Sequence, residues 1–274
     1  MSSHDGGKVW FVTGSSRGFG RVWAEAALRR GDRVVVTARD VSSVEDLVAQ
    51  YPDQAVAMTL DVTDRAAVFA AVAQGVERFG RLDVVVANAG HGLFGALEET
   101  TEASARRQIE VNLFGVVWLL QAVAPILREQ RHGHVLITSS FGGLISFPTA
   151  ALYGASKYAV EGLGESFAQE TSDFGVKVTL VEPAAYVTGF GSAGEQTEPH
   201  PAYDAARART GKVFAEMPVA DPAHTDRAVL DLVDMAEPPL RLLLGAHVLP
   251  LVVGTYEDRI GSWRSLESVA VAAQ

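Results

Sequence analysis

The chain has 274 residues, 48% hydrophobic and 20% charged, which is enough apolar content to bury a sizeable core. Its 23 Lys and Arg against 33 Asp and Glu leave a formal charge of −10, which argues against a binder of nucleic acid or of anionic membranes. With no cysteine, disulfides, Cys-ligated zinc, iron–sulfur clusters and thiol chemistry are excluded, and the redox compartment stays open.

The chain starts with the short polar MSSHDGG, and the first apolar run, residues 9–13, is only strand-length, so no signal peptide is read. In chain order, residues 8–13, 33–37, 55–60, 82–87, 134–139, 177–181 and 240–244 read as buried strands. They are rich in Val, Ile and Leu without strict alternation, as expected when both faces of a sheet are covered. Amphipathic helices are predicted over 20–30, 43–51, 65–79, 102–128, 152–173 and 221–235. Strand–helix repetition of this kind implies right-handed crossovers and an α/β fold with a parallel, doubly wound sheet over one domain, residues 1–274. The most apolar stretches, 116–127 and 240–254, are broken by Gln121, Pro125, Arg241, His247 and Pro250. Neither reaches the roughly 20 clean residues of a membrane span, so a cytoplasmic protein without a membrane partner is expected. Residues 184–204, rich in Gly, Pro and Ser, break the rhythm after a strand, which places a long functional loop at the carboxyl edge where open α/β sheets bind ligands.

The first strand runs into Thr13-Gly14-Ser15-Ser16-Arg17-Gly18-Phe19-Gly20, and a helix follows. Three glycines let the backbone turn tightly and approach a pyrophosphate, and the helix N-terminus offers free N–H groups. Gly14, Ser16, Arg17, Gly18, Phe19 and Gly20 are therefore candidate contacts to a dinucleotide. The spacing is G-x-x-x-G-x-G, so taken alone it also fits a plain strand–helix turn. At the end of the second strand an NAD site places an acidic residue, but here stand Ala38 and Arg39. Arg17 and Arg39 together suit a ribose 2′-phosphate, which favours NADP(H) over NAD(H). Either arginine alone can be a surface residue, and Asp40 can pair with an arginine or reach the ribose.

Tyr153 and Lys157 open a helix with i, i+4 spacing, on one face. A free tyrosine has a pKa of roughly 10, too high for an efficient base near neutrality, and a neighbouring ammonium lowers it. Ser140 ends the preceding strand, and Ser139 is its neighbour. Either hydroxyl can stabilise charge on a substrate oxygen, but strand alternation lets only one face the site.

These elements together resemble the classical short-chain dehydrogenase/reductase family across residues 8–245. The resemblance rests on residues 13–20, Asp61-Val62, Asn88-Ala89-Gly90, Asn112, Ser140 and Tyr153-x-x-x-Lys157. It implies a Rossmann-like domain with a central, mostly seven-stranded parallel sheet flanked by helices, and hydride transfer between a nicotinamide cofactor and a carbonyl/alcohol pair. It also implies that Asp61 and Val62 flank the adenine, that Asn88, Ala89 and Gly90 support the cofactor, and that Asn112 holds a proton-relay water linked to Lys157. It selects Ser140 over Ser139. The family often has Pro-Gly before the substrate loop. Here Pro183 is followed by Ala184, with Thr188 at the position that holds the carboxamide, so the start of the loop is expected to differ.

The expected pocket lining is His91, Leu93, Phe94, Phe141, Leu144, Tyr186 and Phe190, an apolar and aromatic set suited to a lipophilic ketone or aldehyde. His91 reads as a wall residue, because Tyr153 already fills the acid/base role. His4, His91, His132, His134, His200, His224 and His247 are scattered, and no metal site is read. The helices over 102–128 and 152–173 are apolar on more than one face, and the family pairs them in homodimers or homotetramers. Two further readings of the same residues stay open: an NADP(H)-binding sensor without turnover, and a lyase or epimerase of the same fold. Residues 254–274 suggest no role.

Overall fold

The computed structural model describes residues 7–274, apart from the side chain of Ser192. The polar start and His4 lie outside them.

Strand β1 (Val9–Val12) shows why the apolar runs fold as they do. Val9 and Phe11 turn to one face among Val68, Val72, Leu119 and Val123, and Trp10 and Val12 turn to the other among Trp23, Ala24, Ala27 and Leu28. With a core on each side, every position of the strand must be apolar. The buried Asp32 carboxylate closes its start, accepting from Lys8 N at 2.9 Å and Trp10 Nε1 at 2.8 Å.

The remaining strands are β2 (Arg33–Ala38), β3 (Ala55–Thr59), β4 (Val84–Ala87), β5 (Leu93–Phe94), β6 (Gly133–Thr138), β7 (Val176–Pro183), β8 (Glu195–Gln196) and β9 (Arg241–Leu244). Seven form one parallel sheet in the order β3-β2-β1-β4-β6-β7-β9, and β5 pairs with β8 in a separate two-residue ribbon. All seven predicted strands are present, within a few residues at each end. The sheet is Rossmann-like, with helices on both faces.

The first three helices, α1 (Gly18–Arg30), α2 (Glu45–Gln50) and α3 (Arg65–Phe79), fall where predicted. Asp64 caps α3 by accepting from Ala67 N, and Gly31 and Gly80 end α1 and α3 in the left-handed conformation. The long helix expected over 102–128 is two helices, α4 (Glu102–Ile109) and α5 (Gly115–Gln130), joined by a π-helical turn, Glu110–Phe114. By length and composition this run is apolar enough to cross a membrane, but Val116, Leu119, Leu120, Val123 and Leu127 are buried in the core under the sheet.

α6 (Ala151–Thr171) carries the Tyr–Lys pair. α7 (Phe190–Ala193) and β8 lie inside the loop over 184–204. α8 (Asp204–Glu216), α10 (Leu249–Ser265) and α11 (Glu267–Ala272) were not predicted. None of them buries a residue fully, so no apolar stripe marks them. α9 (Asp226–Asp234) forms the core of the helix expected over 221–235.

Helix α6 sits close to the sheet because Gly164 has no side chain. A Cβ there would lie 2.7 Å from Leu180 Cδ2 and 3.2 Å from Ile137 Cδ1. Gly164→Val is expected to cost about 1–3 kcal/mol and lower Tm by several degrees. Gly162→Ala, two residues away and facing open space, is expected to stabilise by about 0.5–1 kcal/mol. Thermal melts of both variants check the pair.

Candidate active site

At the carboxyl edge of the sheet, the loops after β1, β2, β3, β4, β6 and β7 surround a cavity of about 970 Å³. At one end lies the glycine loop. Gly14 and Gly18 have φ of 70° and 58°, and a Cβ on Gly20 would overlap Gly14 O and Asn88 Nδ2. Asn88 Nδ2 donates to the carbonyls of Thr13 and Gly14, both at 3.0 Å, and Thr13 Oγ1 accepts from Asn88 N and Ala89 N. No side chain caps α1, so its first N–H groups are free to receive an anion.

Gly14, Ser16, Arg17, Gly18, Phe19, Ala38, Arg39, Asp61, Val62, Asn88, Ala89, Gly90, Pro183 and Thr188 all line the cavity. Gly20 does not; it supports the loop from beneath. Arg17 and Arg39 are exposed, and their side chains have no partner among the described residues. Asp40 accepts from Ser42 N at 3.0 Å and Ser42 Oγ at 2.7 Å, which holds its carboxyl below the usual range and engages it in capping a turn. The uncapped helix, the close-packed glycines and the two unpaired cations fit a dinucleotide phosphate.

The reactive side chains converge on the cavity's middle. Ser140 lies just beyond β6, and its Oγ accepts from Gly142 N at 3.0 Å. Tyr153 and Lys157 project from the first turns of α6. A Cβ on Gly142 would meet both Tyr153 Cε1 at 3.3 Å and Ser140 Oγ at 3.4 Å, so the glycine leaves the two side chains side by side. Burial pushes the Tyr153 phenol up to about 12, and the Ser140 hydroxyl acts against this. Burial pulls Lys157 down to about 8, opposed by Glu161, and its Nζ donates to Thr138 O at 2.8 Å. The Ser139 hydroxyl is buried with no hydrogen-bond partner among the described residues, and it lies near enough to Glu161 to lower that carboxyl.

Asn112 sits in the π turn, buried, behind the cavity wall. Its Oδ1 accepts from His91 N at 2.7 Å, and its Nδ2 reaches His91 O at 2.9 Å and Ser156 Oγ at 3.1 Å. It fixes the backbone after Asn88-Ala89-Gly90. Single-turn π insertions of this kind are frequent at functional sites.

The far end is aromatic. Phe94, Tyr153 and Phe190 form one ring cluster with centroids 5.5–6.3 Å apart, and Phe141, Phe147 and Phe214 form another at 5.3–6.2 Å. Of the predicted lining, His91, Phe94, Phe141, Tyr186 and Phe190 face the cavity. Leu144 and Leu93 do not. Leu144 is buried with Ile145 and Val248, and its carbonyl accepts from Arg259 of α10. Phe147 and Phe214 were missed, the latter because α8 itself was missed. Ala184 keeps a negative φ and donates its N–H to Leu244 O at 2.8 Å, so the alanine starts the loop by extending the sheet.

Two carboxylates latch the loop. Glu99 accepts from Ala96 N, Thr197 Oγ1, His200 N and, doubly, Arg207, at 2.7–3.0 Å. Glu195 hydrogen-bonds Ser104 and lies 3.4 Å from His91 Nε2 and 3.7 Å from Arg107 Nη1.

The family model described as short chain dehydrogenase matches residues 8–199. An oxidoreductase of Botryotinia fuckeliana, BOA17, is 41% identical over 243 residues, covering 87% of this chain and 89% of the relative. A 3-ketodihydrosphingosine reductase of Bacteroides thetaiotaomicron is 35% identical, covering 88% and 89%. The crystal structure of a short-chain dehydrogenase from Streptomyces avermitilis superposes with a TM-score of 0.92 at 40% identity, covering 98% of this chain and 99% of its own. One from Burkholderia phymatum in complex with NAD gives 0.83 at 26% identity, covering 94% and 95%. An alcohol dehydrogenase from Thermococcus sibiricus complexed with 5-hydroxy-NADP gives 0.74 at 30%, covering 86% and 95%.

The Arg207 guanidinium holds Glu99 well below the usual carboxylate range, so the latch stays charged until strongly acidic pH. Glu99→Ala is expected to accelerate limited proteolysis within 195–207 roughly tenfold at neutral pH, with little change in the global melt.

Proposed function

The chain belongs to the short chain dehydrogenase family of oxidoreductases, and on that premise we propose that it transfers hydride between NADP(H) and a lipophilic ketone or aldehyde and its alcohol. The observation that carries the reading is the convergence of Ser140, Tyr153 and Lys157 on one cavity, beside a cradle suited to a dinucleotide. A sensor without turnover would not need all three side chains.

The nicotinamide supplies or accepts the hydride. In the reductive direction Tyr153 donates its phenolic proton to the substrate oxygen, and Ser140 donates a hydrogen bond to the same oxygen as charge develops. Lys157 stabilises the phenolate that remains and binds the nicotinamide ribose. A phenol at about 12 is fully protonated at neutral pH, which suits a proton donor; the oxidative direction depends on Lys157 to bring it down. Asn112 holds a water that links Lys157 to bulk solvent, and the proton that Tyr153 gives up is replaced along that relay. Asp61 and Val62 flank the adenine, Asn88, Ala89 and Gly90 support the cofactor, and Pro183 and Thr188 hold the carboxamide.

The preference for NADP(H) rests on Arg17 and Arg39, which have no partner among the described residues, on Ala38 where an acid would bind a ribose hydroxyl, and on Asp40 being engaged elsewhere. The lipophilic substrate is supported by the two aromatic clusters and by the relative that reduces 3-ketodihydrosphingosine. The same reading has the enzyme in the cytoplasm as a homodimer or homotetramer.

Calorimetric titration is expected to show NADPH binding at least about tenfold tighter than NADH, with Arg39→Ala erasing most of the difference. Equal or tighter NADH binding sinks the cofactor preference. Across a panel of apolar ketones with NADPH, Tyr153→Phe is expected to lower kcat/KM by roughly a thousandfold while leaving cofactor affinity within a few-fold. Unchanged turnover would remove Tyr153 from the chemistry.

A further inference from the structure

One turn beyond Lys157 on α6, Glu161 is buried between that helix and the sheet, together with Glu182 of β7. Arg241 of β9 lies beside both. Its Nε is 3.2 Å from Glu161 Oε2 and 3.5 Å from Glu182 Oε1, and its Nη2 is 2.7 Å from Glu165 Oε2 at the surface. The Ser139 hydroxyl lies beside the same spot just beyond β6, and Lys157, one turn earlier on α6 with its Nζ on Thr138 O, acts on it through charge without a direct ion pair.

Three buried atoms here have no hydrogen-bond partner among the described residues: Glu161 Oε1, Glu182 Oε1 and Ser139 Oγ. The one hydroxyl can donate to only one carboxyl at a time, so it cannot satisfy both. The two carboxyls crowd the same Arg241 Nε, at 3.2 and 3.5 Å. Two carboxylates this close and this dry cannot both stay ionised. A proton on Glu182 removes the conflict, because a carboxylic acid donates where a carboxylate only accepts. Arg241 donates to Glu161 and not to Glu182, so the negative charge belongs on Glu161.

We propose that Glu182 is protonated and donates to Glu161, and that the charge left on Glu161 is the counter-ion that keeps the buried Lys157 ammonium charged. Glu161 is then a positioning residue that acts through Lys157. Its effect on turnover rests on the function proposed above, but the ionisation itself does not. Burial pushes both carboxyls up. At Glu161 it is opposed by Ser139, Arg241 and Lys157, whereas at Glu182 Glu161 adds to it and Arg241 alone opposes, leaving Glu182 at about 8; Glu161 in turn raises Lys157 against the burial that lowers it.

The chain has four lysines, Lys8, Lys157, Lys177 and Lys212, so NMR of isotope-labelled lysine resolves Lys157 without any substrate. In Glu161→Gln the Lys157 titration midpoint is expected to fall by roughly one pH unit. In Glu182→Gln, whose amide still donates toward Glu161, it is expected to stay where it is in the native protein. Stability gives an independent reading. The folded protein keeps a proton on Glu182 that the unfolded chain releases near 4.5, so stability falls as pH rises from there to about 8. Glu182→Gln is expected to remove that part of the slope. A Lys157 midpoint unmoved by Glu161→Gln overturns the counter-ion role, and a slope that survives Glu182→Gln overturns the proton's placement. Failure of the proposed reaction shows separately, as native protein that binds NADPH without turnover.

Discussion

The Asn88 carboxamide donates to the carbonyls of Thr13 and Gly14, and Gly20 fits beneath the same turn with no room for a side chain. This contact joins the loop after β1 to the loop after β4, the two central strands of the sheet. Through it the N-terminus of α1 is aimed into the cavity. From the residues just beyond Asn88, the His91 backbone is held by Asn112 and Gln108, and those by Ser156 on α6. One short polar chain thus runs from the glycine loop to the helix of Tyr153 and Lys157. The cradle and the reactive pair keep their mutual distance because neither can shift without breaking it.

The two ends of the cavity follow different physics. The cofactor end is backbone and charge: tight turns, an uncapped helix and unpaired guanidiniums, all set by local chain geometry. The substrate end is aromatic and is assembled from distant segments, with Phe94 after β4, Phe147 after β6, Phe190 in the loop and Phe214 on α8. Such a wall depends on the loop staying closed, and closure rests on the Glu99 and Glu195 carboxylates at its margins. Shape at this end can change without disturbing the cradle, which is how one scaffold serves many substrates.

What the sequence made legible divides along the same line. The seven strands were readable because a strand covered on both faces must be apolar throughout. The glycine loop and the Tyr153–Lys157 pair were readable because their spacing is their geometry. Leu144 was misplaced and Phe147 missed because which residue of a loop faces a cavity depends on tertiary register. α8 and α10 were missed because they bury no stripe. The departure at Ala184 needs no glycine, since its φ is not positive and its N–H joins the sheet at Leu244 O.

The π turn has a consequence for how such helices are recognised. Ser104, Gln108, Asn112, Val116 and Leu120 are all buried, a run of unbroken four-residue steps. Over those sixteen residue-to-residue steps an ordinary α-helix would wind about 160° past whole turns, carrying the last of them to the far side. The single extra residue of the π turn takes back about 100° and keeps the row in line. A buried row that steps by four for longer than 3.6-residue winding permits is thus the mark of an inserted residue. Here that mark falls on the asparagine that links the two halves of the site.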